Sequence, residues 1–282
     1  MITPLAWAAA AVLPFTSVGP NVRVSSDDLL RTRGQQVEPF LAVSPLDPAA
    51  LLAGAQEGRT SSGAARALGF YASADGGLTW TRGLVPGLTQ ASGGPYDRAT
   101  DPVVAFGPDG TAFYASIALN FAEPLPTSGA VLVSRSSDAG RSWGAPVTVA
   151  KAAVRQVLLD EPWLAVDGGA ASVRRGAVYV SWAEADPHFM PPRLRVLVAR
   201  SDDGGLTWGA PSVASAGAHD AAGARLAVGP DGAVHLFYIR RPYTTSGPIS
   251  TREFLRVGSS TDGGATWSRP VTVATREFPF VI

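Results

Sequence analysis

Ser201 to Trp208 reads SDDGGLTW, and this stretch is one of four copies of a single turn motif. The other copies are Ser73 to Trp80 (SADGGLTW), Ser136 to Trp143 (SSDAGRSW) and Ser260 to Trp267 (STDGGATW). Consecutive tryptophans are separated by roughly 62 residues, and a near-constant period of this length marks an array of similar supersecondary units. We therefore expect a repeat protein in which each unit carries one copy of the turn.

Each copy has the composition of a tight hairpin turn. Ser and Asp side chains accept hydrogen bonds from backbone amides a few residues later, and glycine adopts the positive φ that a β-carbon resists. The tryptophan that follows supplies a large apolar ring for packing between neighbouring units. We assign a structural role to the aspartate and the tryptophan of every copy, namely Asp75, Trp80, Asp138, Trp143, Asp203, Trp208, Asp262 and Trp267.

A second block is repeated before each turn. It reads EPFLAV from Glu38, DPVVAF from Asp101, EPWLAV from Glu161 and GARLAV from Gly223. Strands rich in β-branched and aromatic residues follow this block, separated by turns that contain Pro, Asp and Gly. Four strands in each unit of about 62 residues, connected as a meander, predict a β-propeller blade.

The turn pattern S-x-D-x-G-x-[ST]-W resembles the Asp-box, or BNR, repeat of sialidases and related β-propellers. The resemblance extends from about Glu38 to Ala274. It implies an all-β fold, a β-propeller of four-stranded antiparallel blades, and for sialidases it implies six blades. Four blades are visible in this sequence, at about 38–87, 101–150, 161–214 and 223–274.

We therefore predict four blades of a six-bladed ring, with residues 275–282 beginning a further blade. A compact ring of four blades is the alternative. Asn21 to Ser25 (NVRVS) has the pattern of a strand that would complete the last blade.

The composition limits the partners and the chemistry. With 23 basic and 23 acidic residues the formal net charge is zero, which argues against nucleic acid as the principal partner. Cysteine is absent, so disulfide and thiol chemistry are excluded. His188, His219 and His235 are widely spaced and form no zinc signature. No metal site and no cofactor are therefore predicted.

Residues 1–20 contain an apolar segment from Leu5 to Leu13. This segment is too short to span a bilayer but has the length of the core of a signal peptide. We expect residues 1–20 to be a signal peptide or a disordered N-terminus, and the propeller to occupy residues 21–282. The chain is accordingly predicted to be secreted or at the cell surface, without a membrane span. Its oligomeric state stays open.

Strand order distinguishes two ends of every blade. In an up-and-down meander, the first-to-second and third-to-fourth turns lie at one end, here called the box end, with the Asp-box and Pro-Asp-Gly turns. We expect the turns at the box end to be short and uniform. The second-to-third turns and the links between blades lie at the other end, here called the loop end. Variable loops on a rigid scaffold are where binding usually resides.

The inner strands bring acids to the loop end. Glu38, Asp101 and Glu161 each precede a proline at the head of an inner strand, and Asp160 lies beside Glu161. An acid in front of proline can also cap a turn, so a structural role stays open. We select Asp101 and Glu161 as catalytic candidates. The substrate-binding candidates are loop residues of the same end, namely Arg59, Arg98, Arg240, Arg241 and Tyr243.

The resemblance implies an exo-α-sialidase (neuraminidase) type of activity. A sialidase needs guanidinium groups for the substrate carboxylate, a carboxylic acid to protonate the leaving oxygen, and a tyrosine nucleophile activated by a glutamate. The family's Arg-Ile-Pro motif is absent from this sequence, and its later arginines and Tyr/Glu pair have no match here.

Three hypotheses follow. The first is a sialidase-like glycoside hydrolase acting on the terminal sugars of glycans. The second is a non-catalytic propeller that binds a glycan or a protein. The third is a structural module within a larger secreted protein.

Overall fold

The described part of the protein consists of β-strands joined by turns and loops. The computed structural model describes residues 21–25, 29–30, 35–61, 63–122, 125–152, 158–186, 188–189, 192–215, 218–242 and 252–277. Within these ranges the strands form antiparallel sheets, which confirms the all-β prediction. No helix among these residues is long and apolar enough to cross a membrane.

Sixteen strands are found in the described residues, in four consecutive groups of four that we call blades 1 to 4. A pairing between Ala65 and Ala99 joins blades 1 and 2 in one eight-stranded sheet, and blades 3 and 4 are separate four-stranded sheets. Blade 1 contains β1 (Gln36–Val43), β2 (Leu51–Arg59), β3 (Ala65–Ser73) and β4 (Thr81–Leu84). Blade 2 contains β5 (Arg98–Phe106), β6 (Ala112–Ala122), β7 (Leu125–Ser136) and β8 (Val147–Ala152). Blade 3 contains β9 (Leu158–Val166), β10 (Val178–Asp186), β11 (Arg193–Ser201) and β12 (Ser212–Val213). Blade 4 contains β13 (Ala221–Val228), β14 (Val234–Arg240), β15 (Arg252–Ser260) and β16 (Val271–Glu277).

Neighbouring blades pack through their inner strands and through apolar clusters. The inner strands β1, β5, β9 and β13 lie side by side in that order. Three clusters of buried residues occupy the three boundaries between consecutive blades. Alanines and valines are the most frequent residues of these clusters, and each cluster also contains large rings, including Tyr114 at the first boundary, Trp182 at the second and Tyr238 at the third. Burial of such side chains is the main stabilising contribution to the fold.

The outer flanks of blades 1 and 4 expose apolar side chains. Leu41 and Val43 on β1 are 59% and 52% exposed, and Val271 and Val273 on β16 are 64% and 55% exposed. Among the described residues no apolar cluster joins blade 4 to blade 1, so the compact four-bladed ring is not formed by them. The total of six blades stays a prediction.

The four turns 73–80, 136–143, 201–208 and 260–267, called the box turns below, have the same hydrogen bonds. The serine hydroxyl donates to the aspartate Oδ1 at 2.7 Å in all four. The same hydroxyl accepts the amide hydrogen of the glycine four residues later, at 2.8–2.9 Å. The aspartate accepts from the amide and the hydroxyl of the following Thr or Ser. The serine and the aspartate of each box turn therefore find their hydrogen-bond partners within the turn.

Three of the four box tryptophans pack at the blade boundaries, and Trp80 belongs to none of the three clusters. Trp143 lies edge-on to Tyr114, with ring centroids 5.6 Å apart, and against Phe70 of blade 1 at 6.1 Å. Trp208 packs against the cluster between blades 2 and 3, and Trp267 against the cluster between blades 3 and 4. Each of these rings thus fixes its blade to the preceding one.

Three expectations differ from the structure. Asn21 to Ser25 forms no strand and is not paired with any of the described strands. Residues 275–277 do not begin a further blade, since they pair with Arg252–Phe254 as the end of β16, and residues 278–282 lie outside the described residues. The turn between β9 and β10, residues 167–177, is longer than the Pro-Asp-Gly turns of blades 2 and 4, so the turns at the box end are not uniform.

Candidate functional site

In blades 1 to 3 the acid of the inner strand and the box turn lie at opposite ends. In blade 2, Ala112 at the start of β6 pairs with Ser136 of the box turn. At the other end of β6, Leu119 pairs both with Arg98 of β5 and with Gly129 of β7. The inner strand β5 therefore begins, with its acid, at the loop end.

A β-bulge at the head of each inner strand positions the acids. Glu38, Asp101 and Glu161 have φ values of 55°, 55° and 48°, and Gly223 at the equivalent position of blade 4 has 65°. The pairing of each inner strand shifts register at this residue. A left-handed conformation costs a residue with a β-carbon about 1 kcal/mol or more. Bulges and such strained residues occur preferentially beside functional sites.

A hydrogen-bond chain connects the acids of blades 1 and 2. Glu38 accepts hydrogen bonds from Arg59 Nη1 at 2.6 Å and from Gln56 Nε2 at 2.5 Å. Gln56 Nε2 also lies 2.8 Å from Thr100 Oγ1, which donates to Asp101 Oδ1 at 2.8 Å. Of the predicted binding residues, Arg59 is thus joined directly to the acids.

Asp101 is the centre of a second group that includes Asp160 and Glu161. Its Oδ2 accepts the backbone amide hydrogen of Glu161 at 3.2 Å, and the carboxylate of Asp160 is near enough for its negative charge to act on Asp101. Burial, followed by the charges of Asp160 and Glu38, raises the pKa of Asp101 to about 7. Desolvation and then the charge of Glu161 raise the pKa of Asp160, although its side chain reaches solvent. The nearby negative charges therefore favour the protonated form of Asp101.

Aromatic side chains join the inner strands next to the acids. Phe40 and Trp163, two residues after Glu38 and Glu161, bring blades 1 and 3 into contact with ring centroids 5.0 Å apart. The guanidinium of Arg225 from blade 4 lies 4.4 Å from the centroid of Trp163. These contacts connect the inner strands of blades 1, 3 and 4 beside the acids.

Two pockets flank the dipeptide Asp160-Glu161 at the loop end. The first has a volume of about 230 Å³ and is mainly apolar, with Asp160 as its charged group. The second has a volume of about 240 Å³ and contains Glu161, Asp220, Arg241 and Glu253. Leu194 lines both pockets. A ligand placed over Asp160-Glu161 can therefore contact an apolar and a charged surface together.

The remaining predicted arginines are each bound to a different partner. Arg98 donates to Thr60 Oγ1 at 3.0 Å and lies over the Phe121 ring at 4.5 Å. Arg240 Nε contacts both carboxylate oxygens of Asp220, at 2.9 and 3.1 Å.

Arg241 forms an ion pair with Glu253, and Arg59 is paired with Glu38. Tyr243 lies outside the described residues. Arg59 thus contacts the acids directly, Arg241 lines the second pocket, and Arg240 contacts Asp220 of that pocket.

Four further residues belong to the site, although the sequence did not point to them. Asp220 and Glu253 hold the two arginines, and Gln56 and Thr100 connect Glu38 to Asp101. The position of Thr100 directly before Asp101, like that of Asp160 directly before Glu161, was the available signal. Within the described ranges, no group of three or more His, Asp or Glu side chains is arranged to hold a metal ion.

Comparison with known proteins identifies the architecture. No family model matches this sequence, and no curated protein matches it. Solved structures do match. An α-L-arabinanase from Penicillium chrysogenum, complexed with arabinobiose, has a TM-score of 0.59 at 17% identity, over 86% of this chain and 68% of the arabinanase. An α-L-arabinofuranosidase from Fusarium graminearum, in complex with an iminosugar inhibitor, has a TM-score of 0.59 at 13% identity, over 85% and 66% of the two chains.

A sialidase from Trypanosoma rangeli, in complex with the inhibitor DANA, is also similar. It gives a TM-score of 0.55 at 18% identity over 85% of this chain, but this chain spans only 38% of the sialidase. At these identities the comparisons establish the fold alone. The protein therefore has a β-propeller fold like that of several glycosidases.

Proposed function

We propose that this protein is a glycoside hydrolase that removes terminal sugars from glycans, with its active site at the loop end. The observation that carries the proposal is the carboxyl pair Asp101–Asp160, in which the pKa of Asp101 is raised to about 7. A carboxylic acid that keeps its proton near neutral pH is what glycosidic bond cleavage requires of its proton donor. The glycosidase folds of the structural neighbours are consistent with this chemistry.

Each acid has its own role in the proposed reaction. Asp101 donates its proton to the leaving glycosidic oxygen, and the negative charge of Asp160 helps Asp101 to retain that proton beforehand. Glu161 lines the charged pocket and supplies the second carboxylate, either as a base that activates water or as a nucleophile. Glu38 is bound to Arg59 and Gln56 and holds the site in place.

The ion pairs of the arginines favour an uncharged sugar over a sialic acid. Binding of a sialoside carboxylate requires guanidinium groups that are available for bidentate hydrogen bonds. Arg59, Arg240 and Arg241 are already paired with Glu38, Asp220 and Glu253. We therefore propose a neutral terminal sugar as the substrate and treat sialidase activity as the competing outcome.

A non-catalytic, glycan-binding propeller is the second candidate. It is favoured by the internal hydrogen bonds of Asp101, which satisfy both carboxyl oxygens without a substrate. A binding module would retain glycan affinity when the proton donor is removed. An enzyme would retain affinity but lose turnover.

The experiment compares hydrolysis of a panel of chromogenic neutral glycosides, including an α-L-arabinofuranoside, with hydrolysis of a fluorogenic sialoside. We expect the wild-type protein to hydrolyse a neutral glycoside, and Asp101→Asn and Glu161→Gln to abolish this activity. Asp231→Asn is the matched control, because Asp231 is an exposed aspartate of a turn at the box end. Glycan binding without turnover by any variant would support the binding module instead, and sialoside turnover would restore the sialidase hypothesis.

A further inference from the structure

The turn between β9 and β10 is unlike its equivalents at the box end. Blades 2 and 4 use the short turns Gly107–Thr111 and Gly229–Ala233, each closed by hydrogen bonds between their terminal residues. Blade 3 instead has an eleven-residue segment, Asp167–Ala177, called the arginine loop below. It carries two adjacent arginines, Arg174 and Arg175. The loop takes no part in the glycoside hydrolysis proposed above.

The arginine loop is held in one conformation by buried polar contacts. Asp167 is fully buried, and its carboxylate accepts hydrogen bonds from the Gly169 amide at 2.9 Å and from the Ser172 hydroxyl at 2.5 Å. Ser172 Oγ also accepts the amide hydrogen of Arg174 at 3.1 Å. The Ala171 amide donates to the carbonyl of Pro230 in blade 4 at 3.2 Å, which docks the loop on the next blade. A loop with these contacts presents its arginines in a fixed geometry.

The loop places Arg174 beside Arg200 of β11. If Gly263 of the fourth box turn had a Cβ, that atom would lie 2.3 Å from Arg200 Nη1 and 2.7 Å from Arg174 Nε. The two nitrogen atoms can be no farther apart than the sum of these distances, so two positive charges are close together. Arg200 donates from Nη1 to the carbonyls of Asp262 and Gly263, at 3.2 and 2.6 Å.

Among the described residues, one carboxylate forms an ion pair with these arginines. Arg200 is paired with Asp202, whose side chain is 60% exposed. Among the described residues, no carboxylate or carbonyl accepts a hydrogen bond from the Arg174 side chain, and Arg175 donates to the carbonyl of Gly168. The carboxylates of Asp203 and Asp262 are turned to the amides and hydroxyls of their own box turns. An anion beside Arg174 and Arg200 would relieve the repulsion between them.

The charges open onto two connected cavities. One, of about 440 Å³, is lined by Val173, Arg174, Arg175, Ala177, Arg200 and Asp202. The other, of about 630 Å³, shares Arg200 and Asp202 and extends over Thr207, Ser212 and the glycines of the fourth box turn. It lies at the boundary of blades 3 and 4, where the outer strand β12 has only two residues. Hydroxyl groups and glycine backbone suit a ligand that is rich in hydroxyl groups.

We infer that the arginine loop and this cleft form a second binding site, for an acidic oligosaccharide that carries sulfate or carboxylate groups. The anionic group binds to Arg174 and Arg200, with Arg175 at the rim, and the sugar chain lies along the cleft toward Ser212. Guanidinium groups bind sulfate and carboxylate through paired hydrogen bonds. The site is at the box end, so it is independent of the catalytic proposal, and either can fail without the other.

The test measures binding of a sulfated oligosaccharide, of a uronic acid oligosaccharide and of neutral dextran by isothermal titration calorimetry at two salt concentrations. We expect the wild-type protein to bind an acidic ligand and not dextran, more weakly at the higher salt concentration. Arg174→Ala/Arg175→Ala should weaken binding by about tenfold or more, while Arg174→Lys/Arg175→Lys, which keeps the charge, should weaken it less. The control is Arg141→Ala, which removes an exposed arginine from the second box turn at the same end.

Several results would overturn the inference. These are absence of acidic oligosaccharide binding to the wild-type protein, equal binding of dextran, or equal losses in Arg141→Ala and the double variant. Binding of anionic vesicles or DNA that depends on Arg174, without binding of the acidic sugars, would assign the site to another class of ligand and also overturn it. Thermal unfolding of each variant is measured first, and the lysine variant replaces the alanine variant if the latter does not fold.

Discussion

The backbone amide of Glu161 donates a hydrogen bond to Oδ2 of Asp101 across the boundary between blades 2 and 3, at 3.2 Å. This contact ties the bulge of one inner strand to the acid of the preceding one. The positive φ of both residues is therefore part of the same arrangement that brings Asp101 next to Asp160. Site geometry and blade packing depend on each other at this point.

The first prediction concerns the proton donor. Asp101→Asn cannot donate a proton, so kcat/KM on a neutral glycoside should fall by about 100-fold or more. In the wild-type protein the activity should fall as the pH rises through about 7, because the acid form of Asp101 is then lost. The measurement is kcat/KM against pH for both proteins and for Asp231→Asn. If kcat/KM of Asp101→Asn still fell above about pH 7 as it does in the wild-type protein, the proton donor would be another group.

The second prediction concerns stability against pH. Because burial and neighbouring charges raise the pKa of Asp101 from 3.8 to about 7, the folded protein retains a proton in this interval that the unfolded chain has released. The contribution of Asp101 to the free energy of unfolding therefore decreases as the pH rises from about 4 to about 7.

In Asp101→Asn the carboxyl is replaced by an amide, which does not titrate but can still accept and donate hydrogen bonds. It should be more stable than the wild-type protein above about pH 7, and this advantage should shrink as the pH falls toward 4. Urea unfolding at several pH values tests this. A constant difference between the two proteins over the interval would contradict the raised pKa of Asp101.

The repeats in the sequence predicted the fold because each one specifies its own local structure. The box turn Ser201 to Trp208 contains all the donors and acceptors that close it, so a sequence match is enough to recognise it. The acids before proline were recognisable for the same reason, as a repeated block. Asp101 and Glu161 are accordingly found together at the loop end.

The partners of the arginines could not be predicted in this way. Arg240 and Asp220 are separated by 20 residues and meet through the register of β13 and β14, which no local pattern encodes. The conformation of the arginine loop could not be predicted from the sequence for a related reason. Its conformation depends on Pro230 of the next blade and on the buried carboxylate of Asp167, and both contacts are tertiary.

The third prediction separates the box turns from the active site. Asp138 accepts hydrogen bonds from the Ser142 amide at 2.8 Å and the Ser142 hydroxyl at 2.6 Å. Asp138→Ala removes these acceptors and should lower the free energy of unfolding by about 1 kcal/mol, since one net hydrogen bond contributes about that amount. The activity of the folded protein should not change. A selective loss of activity with unchanged stability would place the active site at the box end.

The fourth prediction concerns Ala139 in the second box turn. Ala139 has φ 58°, whereas the equivalent Gly76, Gly204 and Gly263 have 71°, 70° and 75°. Ala139→Gly removes the β-carbon that strains the left-handed conformation. The greater freedom of glycine in the unfolded chain offsets part of this gain, so the free energy of unfolding should rise by up to about 1 kcal/mol. The control is Ala74→Gly in the first box turn, which has no positive φ and should be neutral or destabilising. Urea unfolding of both variants measures the difference.

The last prediction tests whether the bulge at Glu161 is strained. Glu161 has φ 48°, and Gly223 occupies the same position in blade 4 without strain. Glu161→Ala and Glu161→Gly both remove the carboxylate, but only alanine keeps the β-carbon, so the glycine variant should be the more stable by up to about 1 kcal/mol. Both variants should lack hydrolytic activity, because the second carboxylate of the proposed mechanism is missing in each. An alanine variant as stable as the glycine variant would show that the left-handed conformation is not strained here. Turnover retained by either variant would remove Glu161 from the mechanism and leave its role at the bulge as structural.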